Sequence, residues 1–170
     1  MNDSESIGTL ADALVGELIA SGKHLATAES CTGGWIAKAL TDIAGSSQCF
    51  GYGVVSYSNG AKEMLLGVNP ATLYEHGAVS ETAVREMADG ALQLSGADFA
   101  VAVSGIAGPD GGTAEKPVGT VWFAWATRTE GDAEVDAVKR QLEGDRGAVR
   151  SQSVVLALQG VRERLRDGGA

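Results

Sequence analysis

The chain has 170 residues, 44% of them hydrophobic and 21% charged, which suits a single folded domain with a real core and excludes a largely disordered chain. With 13 basic and 22 acidic side chains the formal charge is −9, so no broad basic face is available for DNA or RNA, and nucleic-acid binding is not expected. The opening MNDSESIGTL lacks the charged head and apolar centre of a secretory signal, and the apolar run 118–126 is too short for a membrane span of about 20 residues. Two cysteines, Cys31 and Cys49, are read as reduced thiols in a cytoplasmic protein.

In chain order, Ile7, Leu10, Ala11, Leu14, Val15 and Leu18 give residues 4–21 one apolar helical stripe. HLATAES reads as a strand running into a turn. Thr32 or a neighbour then caps a second helix with Ile36, Ala39, Leu40 and Ile43 inward, ending at Gly45. YGVVSYS (52–58) is expected to be a strand covered on both faces. Asn59-Gly60 breaks it, AKEMLL forms a short helix stopped by Gly67, and Pro70 opens one further turn through Tyr74. Ser80 is the expected N-cap of a helix with Val84, Met87, Ala91 and Leu94 along one side. DFAVAVS (98–104) is a buried-type strand, and GIAGPDGG (105–112) is a glycine-dense loop. VGTVWFAWAT and EVDAVKRQL form a hairpin, and Asp145 caps a last helix with Val154, Leu158, Val161 and Leu165 inward. The tail DGGA is expected to fray. Alternating helices and strands closed by a hairpin predict one α/β domain over residues 1–170 with its core at about 5–166: three layers, α/β/α, around a mixed, mostly parallel sheet.

In such sheets, sites gather at the carboxyl ends of strands. AESCTGG, SYSNGAK and SGIAGPDGG each leave a strand into small, polar sequence, so three candidate loops share one sheet edge. The phosphate loop GxxxxGK[ST] and the dinucleotide fingerprint GxGxxG are both absent. With two histidines and two cysteines there is no zinc spacing; a carboxylate-only metal site has Asp110 and Glu115 to draw on, and no metal or redox cofactor is expected. His24 precedes its strand and should lie at the opposite sheet edge, while His76 falls in a polar turn, so neither is placed to act as the base of a serine triad.

Lysine is the other route to activating a hydroxyl, provided it is kept neutral by burial or an unfavourable field. Lys62 falls in the first turn of the helix after Ser58, where the helix field disfavours an ammonium. The same field at the helix beginning near Gly33 favours an alkoxide at residue 30 and offers free N–H groups to an oxyanion. Tyr57 is placed to shuttle or orient the proton. Ser30 and Cys31 stand side by side, one of them facing the cleft, and periodicity does not choose between them. Arg146 and Arg150, near a helix start that disfavours cations, hint at a bound anion or at partners in Glu143 and Asp145.

AESCTGGWIAKALTDIAGSS, YGVVSYSNGAKEMLLGV, HGAVSE, VSGIAGPDGGTAEKPVGTVWFAWAT and EGDRGAVR, in that order over residues 7–165, resemble the CinA C-terminal domain family and most of all its stand-alone nicotinamide mononucleotide amidohydrolases. That resemblance implies metal-independent hydrolysis of the nucleotide's carboxamide to nicotinic acid mononucleotide and ammonia, in pyridine-nucleotide salvage. Carried onto matching positions, it puts the nucleophile at Ser30, the general base at Lys62 and the assisting tyrosine at Tyr57. Backbone N–H groups from Cys31 through Thr32 and Gly33 to Gly34 are the expected oxyanion donors. Asn59, Ser104, Gly105, Gly108 and Arg146 are the expected substrate and phosphate contacts. A homo-oligomer is expected. A non-catalytic nucleotide-binding module, and an amidase for another small amide, are the alternatives.

Overall fold

The computed structural model describes residues 3–168, with side chains from residue 7 onward; the fraying expected of the last residues lies, for 169 and 170, outside the described residues. Helix α1 (Asp3–Ser21) leads into β1 (Leu25–Glu29), α2 (Trp35–Thr41), a 3-10 turn at 46–48 and β2 (Phe50–Val55). Then come α3 (Asn59–Leu66), α4 (Pro70–His76), α5 (Glu81–Ser95), β3 (Phe99–Gly105), the hairpin β4 (Thr120–Thr127) and β5 (Glu134–Gln141), and α6 (Arg146–Asp167).

The five strands form one sheet in the order β2-β1-β3-β4-β5. β1 pairs in parallel with β2 and β3, while β3–β4 and β4–β5 are antiparallel. The sheet is therefore mixed as expected, with the two kinds of pairing equal in number. Strand alternation divides its side chains into two sets. Leu25, Phe99, Val101, Val103, Val121, Phe123 and Trp125 pack with α1, α2 and α6. Ala26, Ala28, Ala100, Ala102, Ala124 and Ala126 pack with α5 and the ends of α3 and α4. These are the three layers.

Several local readings are corrected. The apolar run at 52–58 is not covered on both faces: β2 is an edge strand, with Tyr52 and Val55 about half exposed. β-branched composition reports strand propensity, not position within the sheet. On α5, Leu94 is exposed and Leu92 is buried in its place; ten residues after Val84, position 94 has turned about 80° off that face. Helix α2 stops at Thr41 rather than Gly45, and Ile43 packs on the core from the following turn. The N-caps at Ser58, Ser80 and Asp145 accept hydrogen bonds from Ala61, Ala83 and Ala148 N–H.

Candidate active site

Where β1 ends, the sheet still holds the chain: Ser30 N–H donates to Val103 O at 2.9 Å, and Ser56 N–H donates to Glu29 O at 2.9 Å from the other side. The chain then folds over itself. Gly33 N–H closes back on Ser30 O at 3.0 Å and Trp35 N–H on Thr32 O at 3.1 Å. Gly33 and Gly34 have φ of 60° and 96°, consecutive left-handed residues that a side chain would strain. They delay α2 until Trp35, which takes Thr32 out of capping position; its hydroxyl is buried with no hydrogen-bond partner among the described residues. The cap comes instead from Glu29. Its fully buried carboxylate accepts from Ile36 N–H at 2.8 Å and Ala37 N–H at 3.0 Å. An anion thus already occupies the start of α2, and the donors left near Ser30 belong to the turn. The N–H groups of Cys31, Thr32 and Gly34 make no hydrogen bond to another described residue.

Lys62 arrives from the opposite layer. It is 1% exposed, and its Nζ donates to Ser56 O at 2.7 Å and to Ser30 Oγ at 3.0 Å. Burial pushes its pKa below the ordinary lysine value, against a smaller opposing pull from Cys31. Of the two causes expected to lower it, burial and the helix field, burial is the one the structure displays. The neighbouring Cys31 thiol is pushed up to about 11 by burial, so it stays protonated near neutrality. Of the two adjacent candidates, Ser30 is the one in hydrogen-bond contact with the Lys62 amine.

The other expected residues are distributed around this pair. Tyr57 is 62% exposed and accepts from Arg146 Nη2 at 3.2 Å; none of its hydrogen bonds among the described residues reaches Ser30 or Lys62. Arg146 also donates to Gly108 O at 2.8 Å, so it ties the start of α6 to the glycine loop and to Tyr57. Ser104 is buried one residue beyond the Val103 carbonyl that holds Ser30. Gly105 is packed against β4 and Gly108 against Val118, so both have a structural reason to be glycine. Asn59 is exposed at the start of α3. His24 lies beyond the other end of β1, as expected, beside Asp98. Among the described residues no group of three or more His, Cys, Asp or Glu could hold a metal ion, and no helix is long and apolar enough to cross a membrane.

A model of the CinA C-terminal domain matches residues 7–165. The chain belongs to the CinA C-terminal domain family. A nicotinamide-nucleotide amidohydrolase PncC of Escherichia coli K12 is 56% identical over 160 residues, 94% of each chain. Another of that name, from Enterobacter agglomerans, is 61% identical over 142 residues, 84% of this chain and 85% of that one. The solved structure of the competence/damage inducible protein CihA from Agrobacterium tumefaciens superposes with a TM-score of 0.88 at 44% identity, covering 98% of this chain and 97% of that one.

Within this CinA-type fold, two residues outside the expected set shape the Ser30 turn. Glu29 is one; a carboxylate at the end of a mostly apolar strand, six residues before the helix start it caps, was its visible signal. Arg150 is the other. It was expected to meet an anion or an acidic neighbour, but its Nε and Nη2 donate to Cys31 O and Thr32 O at 3.0 and 3.1 Å. Nothing in the sequence pairs positions 31 and 150.

Proposed function

We propose that the chain is a cytoplasmic, homo-oligomeric amidohydrolase that converts nicotinamide mononucleotide and water to nicotinic acid mononucleotide and ammonia. The observation that carries this reading is the 3.0 Å contact between a buried Lys62 amine and the Ser30 hydroxyl, in a chain 56–61% identical to proteins named nicotinamide-nucleotide amidohydrolase. Neutral Lys62, one N–H held by Ser56 O, turns its lone pair to Ser30. As Oγ bonds to the carboxamide carbon, its proton passes to Nζ. The turn's free N–H groups receive the oxyanion. The Lys62 ammonium returns the proton to the departing nitrogen, ammonia leaves, and an ester joins the nicotinoyl carbon to Ser30. Water attacks that ester, gives a proton to Nζ, and Ser30 recovers it as the acid departs.

Arg146 and the backbone of residues 104–108 take the 5′-phosphate in this reading, with Asn59 at the rim. Tyr57 keeps the assisting role from outside the pair, its hydroxyl held by Arg146. The test is ammonia release from nicotinamide mononucleotide with EDTA present, for wild type, Ser30→Ala and Cys31→Ala. Release that survives EDTA and Cys31→Ala but falls at least about 1,000-fold in Ser30→Ala supports a metal-free serine amidase. Wild-type protein that binds the nucleotide in a thermal-shift assay and releases no ammonia would be a binding module instead.

A further inference from the structure

The turn carrying Ser30 is gripped at both ends by buried or half-buried charge. Glu29 takes the two N–H groups of α2 that would otherwise face the turn. Arg150, half-buried in the second turn of α6, takes two successive carbonyls, and its guanidinium lies 5.5 Å from the centre of the Trp35 ring. A cation this close to a helix start works against the helix field, so the stability of α6 does not account for its position.

The consequence follows from peptide geometry. In a trans peptide the carbonyl of one residue and the N–H of the next point in opposite directions. Arg150 draws the Cys31 carbonyl toward α6, which aims Thr32 N–H away from α6. In the next unit, Thr32 O is also held by Arg150, and Gly33 N–H is consumed by Ser30 O. That leaves the N–H groups of Cys31 and Thr32, the two residues after Ser30, without a partner on another described residue. Arginine suits the task because its planar fork reaches adjacent carbonyls with fixed geometry, which a lysine ammonium does not.

We propose that Arg150 is the positioning residue of the oxyanion site: it fixes the Cys31–Thr32 peptide so that its N–H faces the carbonyl under attack by Ser30. The inference rests on the amidase reading above but not on the identity of the amide. Arg150 touches no reacting atom.

The test compares wild type, Arg150→Ala and Arg150→Lys. Two rates are measured: ammonia release from nicotinamide mononucleotide, and labelling of Ser30 by a fluorophosphonate, followed by mass. For Arg150→Ala we expect kcat to fall about 10- to 100-fold with KM within about twofold, and labelling to slow by a similar factor. Added ethylguanidinium restores part of both rates, while tetramethylammonium at equal ionic strength does not; a purely structural role would show no such rescue. Arg150→Lys falls between the two. A raised KM at unchanged kcat overturns the proposal, as does unchanged labelling, or a loss that guanidinium fails to lift in protein melting at the wild-type temperature. Should Arg150→Ala not fold, Arg150→Lys decides: lowered kcat at unchanged KM supports the proposal, and wild-type kcat overturns it. Wild-type protein that labels at Ser30 yet spares the nucleotide would sink the substrate reading and leave Arg150 still judged by labelling.

Discussion

Two glycines in helix interiors do different work on the two faces of the sheet. On the alanine face, a Cβ at Gly90 of α5 would stand 1.9 Å from the backbone oxygen of Leu66, the last residue of α3. On the large-residue face, a Cβ at Gly160 of α6 would stand 2.3 Å from the Trp125 ring, whose Nε1 donates to Ala157 O at 3.0 Å. One glycine admits a backbone and the other admits a side chain. A side chain has other rotamers, whereas a helix displaced by its backbone moves as a unit. The alanine face is thus the one that sets the geometry of the Ser30–Lys62 contact. Small strand residues let α5 sit close to the sheet, Gly90 lets α3 sit close to α5, and α3 delivers Lys62 to a serine that leaves β1 toward the other layer.

That contrast is broken by a pair of substitutions. Gly90→Ala pushes α3 off α5 and is expected to cost about 2–3 kcal/mol of stability and, through misplacement of Lys62, about 100-fold in kcat. Gly160→Ala displaces an indole instead; it should cost about 1–2 kcal/mol with kcat within about twofold of wild type. Denaturant melts and steady-state kinetics on both variants read the outcome. Equal kcat losses in the two would show that the alanine face has no special hold on the site.

The second test isolates Lys62. A buried amine that must lose its proton is a burden on the folded chain, and Lys62→Met removes it. Activity should vanish while stability at pH 7 rises by about 1 kcal/mol. The sign follows from linkage. Lys62 has a folded-state pKa below the ordinary value of 10.5, so between the two the unfolded chain binds more protons and wild-type stability climbs with pH. The advantage of Lys62→Met should therefore shrink as pH approaches that value. In wild type, kcat/KM should rise with pH through an ionisation below it. Melting of both proteins across pH, beside the wild-type rate profile, checks each part.

Most of this architecture was legible because periodicity and caps are local. The stripes of α1 and α6, the caps at Ser80 and Asp145, and the hairpin all depend on residues a few positions apart. The contact between Ser30 and Lys62 joins two residues singled out as strand-end residues beside helix starts, although the field assigned to α2 is met by Glu29 and burial is what lowers the lysine pKa. What escaped was non-local. That β2 would lie at an edge depends on strand order, and the grip of Arg150 on residues 31 and 32 spans 119 and 118 positions. That Tyr57 would turn outward to Arg146 is likewise decided by where α6 begins.

The smallest effect belongs to the large-residue face, far from the chemistry. Glu17 of α1 is held by Arg162 and Arg166 of α6, and the Arg162 hydrogen bond is the main reason its carboxyl is lowered to about 2. Because the folded pKa is depressed, the stabilisation is present at neutral pH and is lost as pH falls from about 4.5 toward about 2. The pair is partly solvated, so Glu17→Gln should cost only about 1 kcal/mol at pH 7, and its stability should converge with wild type in acid. Twelve residues of α6 separate Arg162 from Arg150, about 18 Å along the helix. The contacts at Glu17 are made by flexible side-chain ends, so α1 and α6 can relax there without turning Arg150. Unchanged kcat in Glu17→Gln is therefore the expected result. A fall in kcat would mean that α6 passes strain along its length to the Ser30 turn, and the division of labour between the two faces would have to be redrawn.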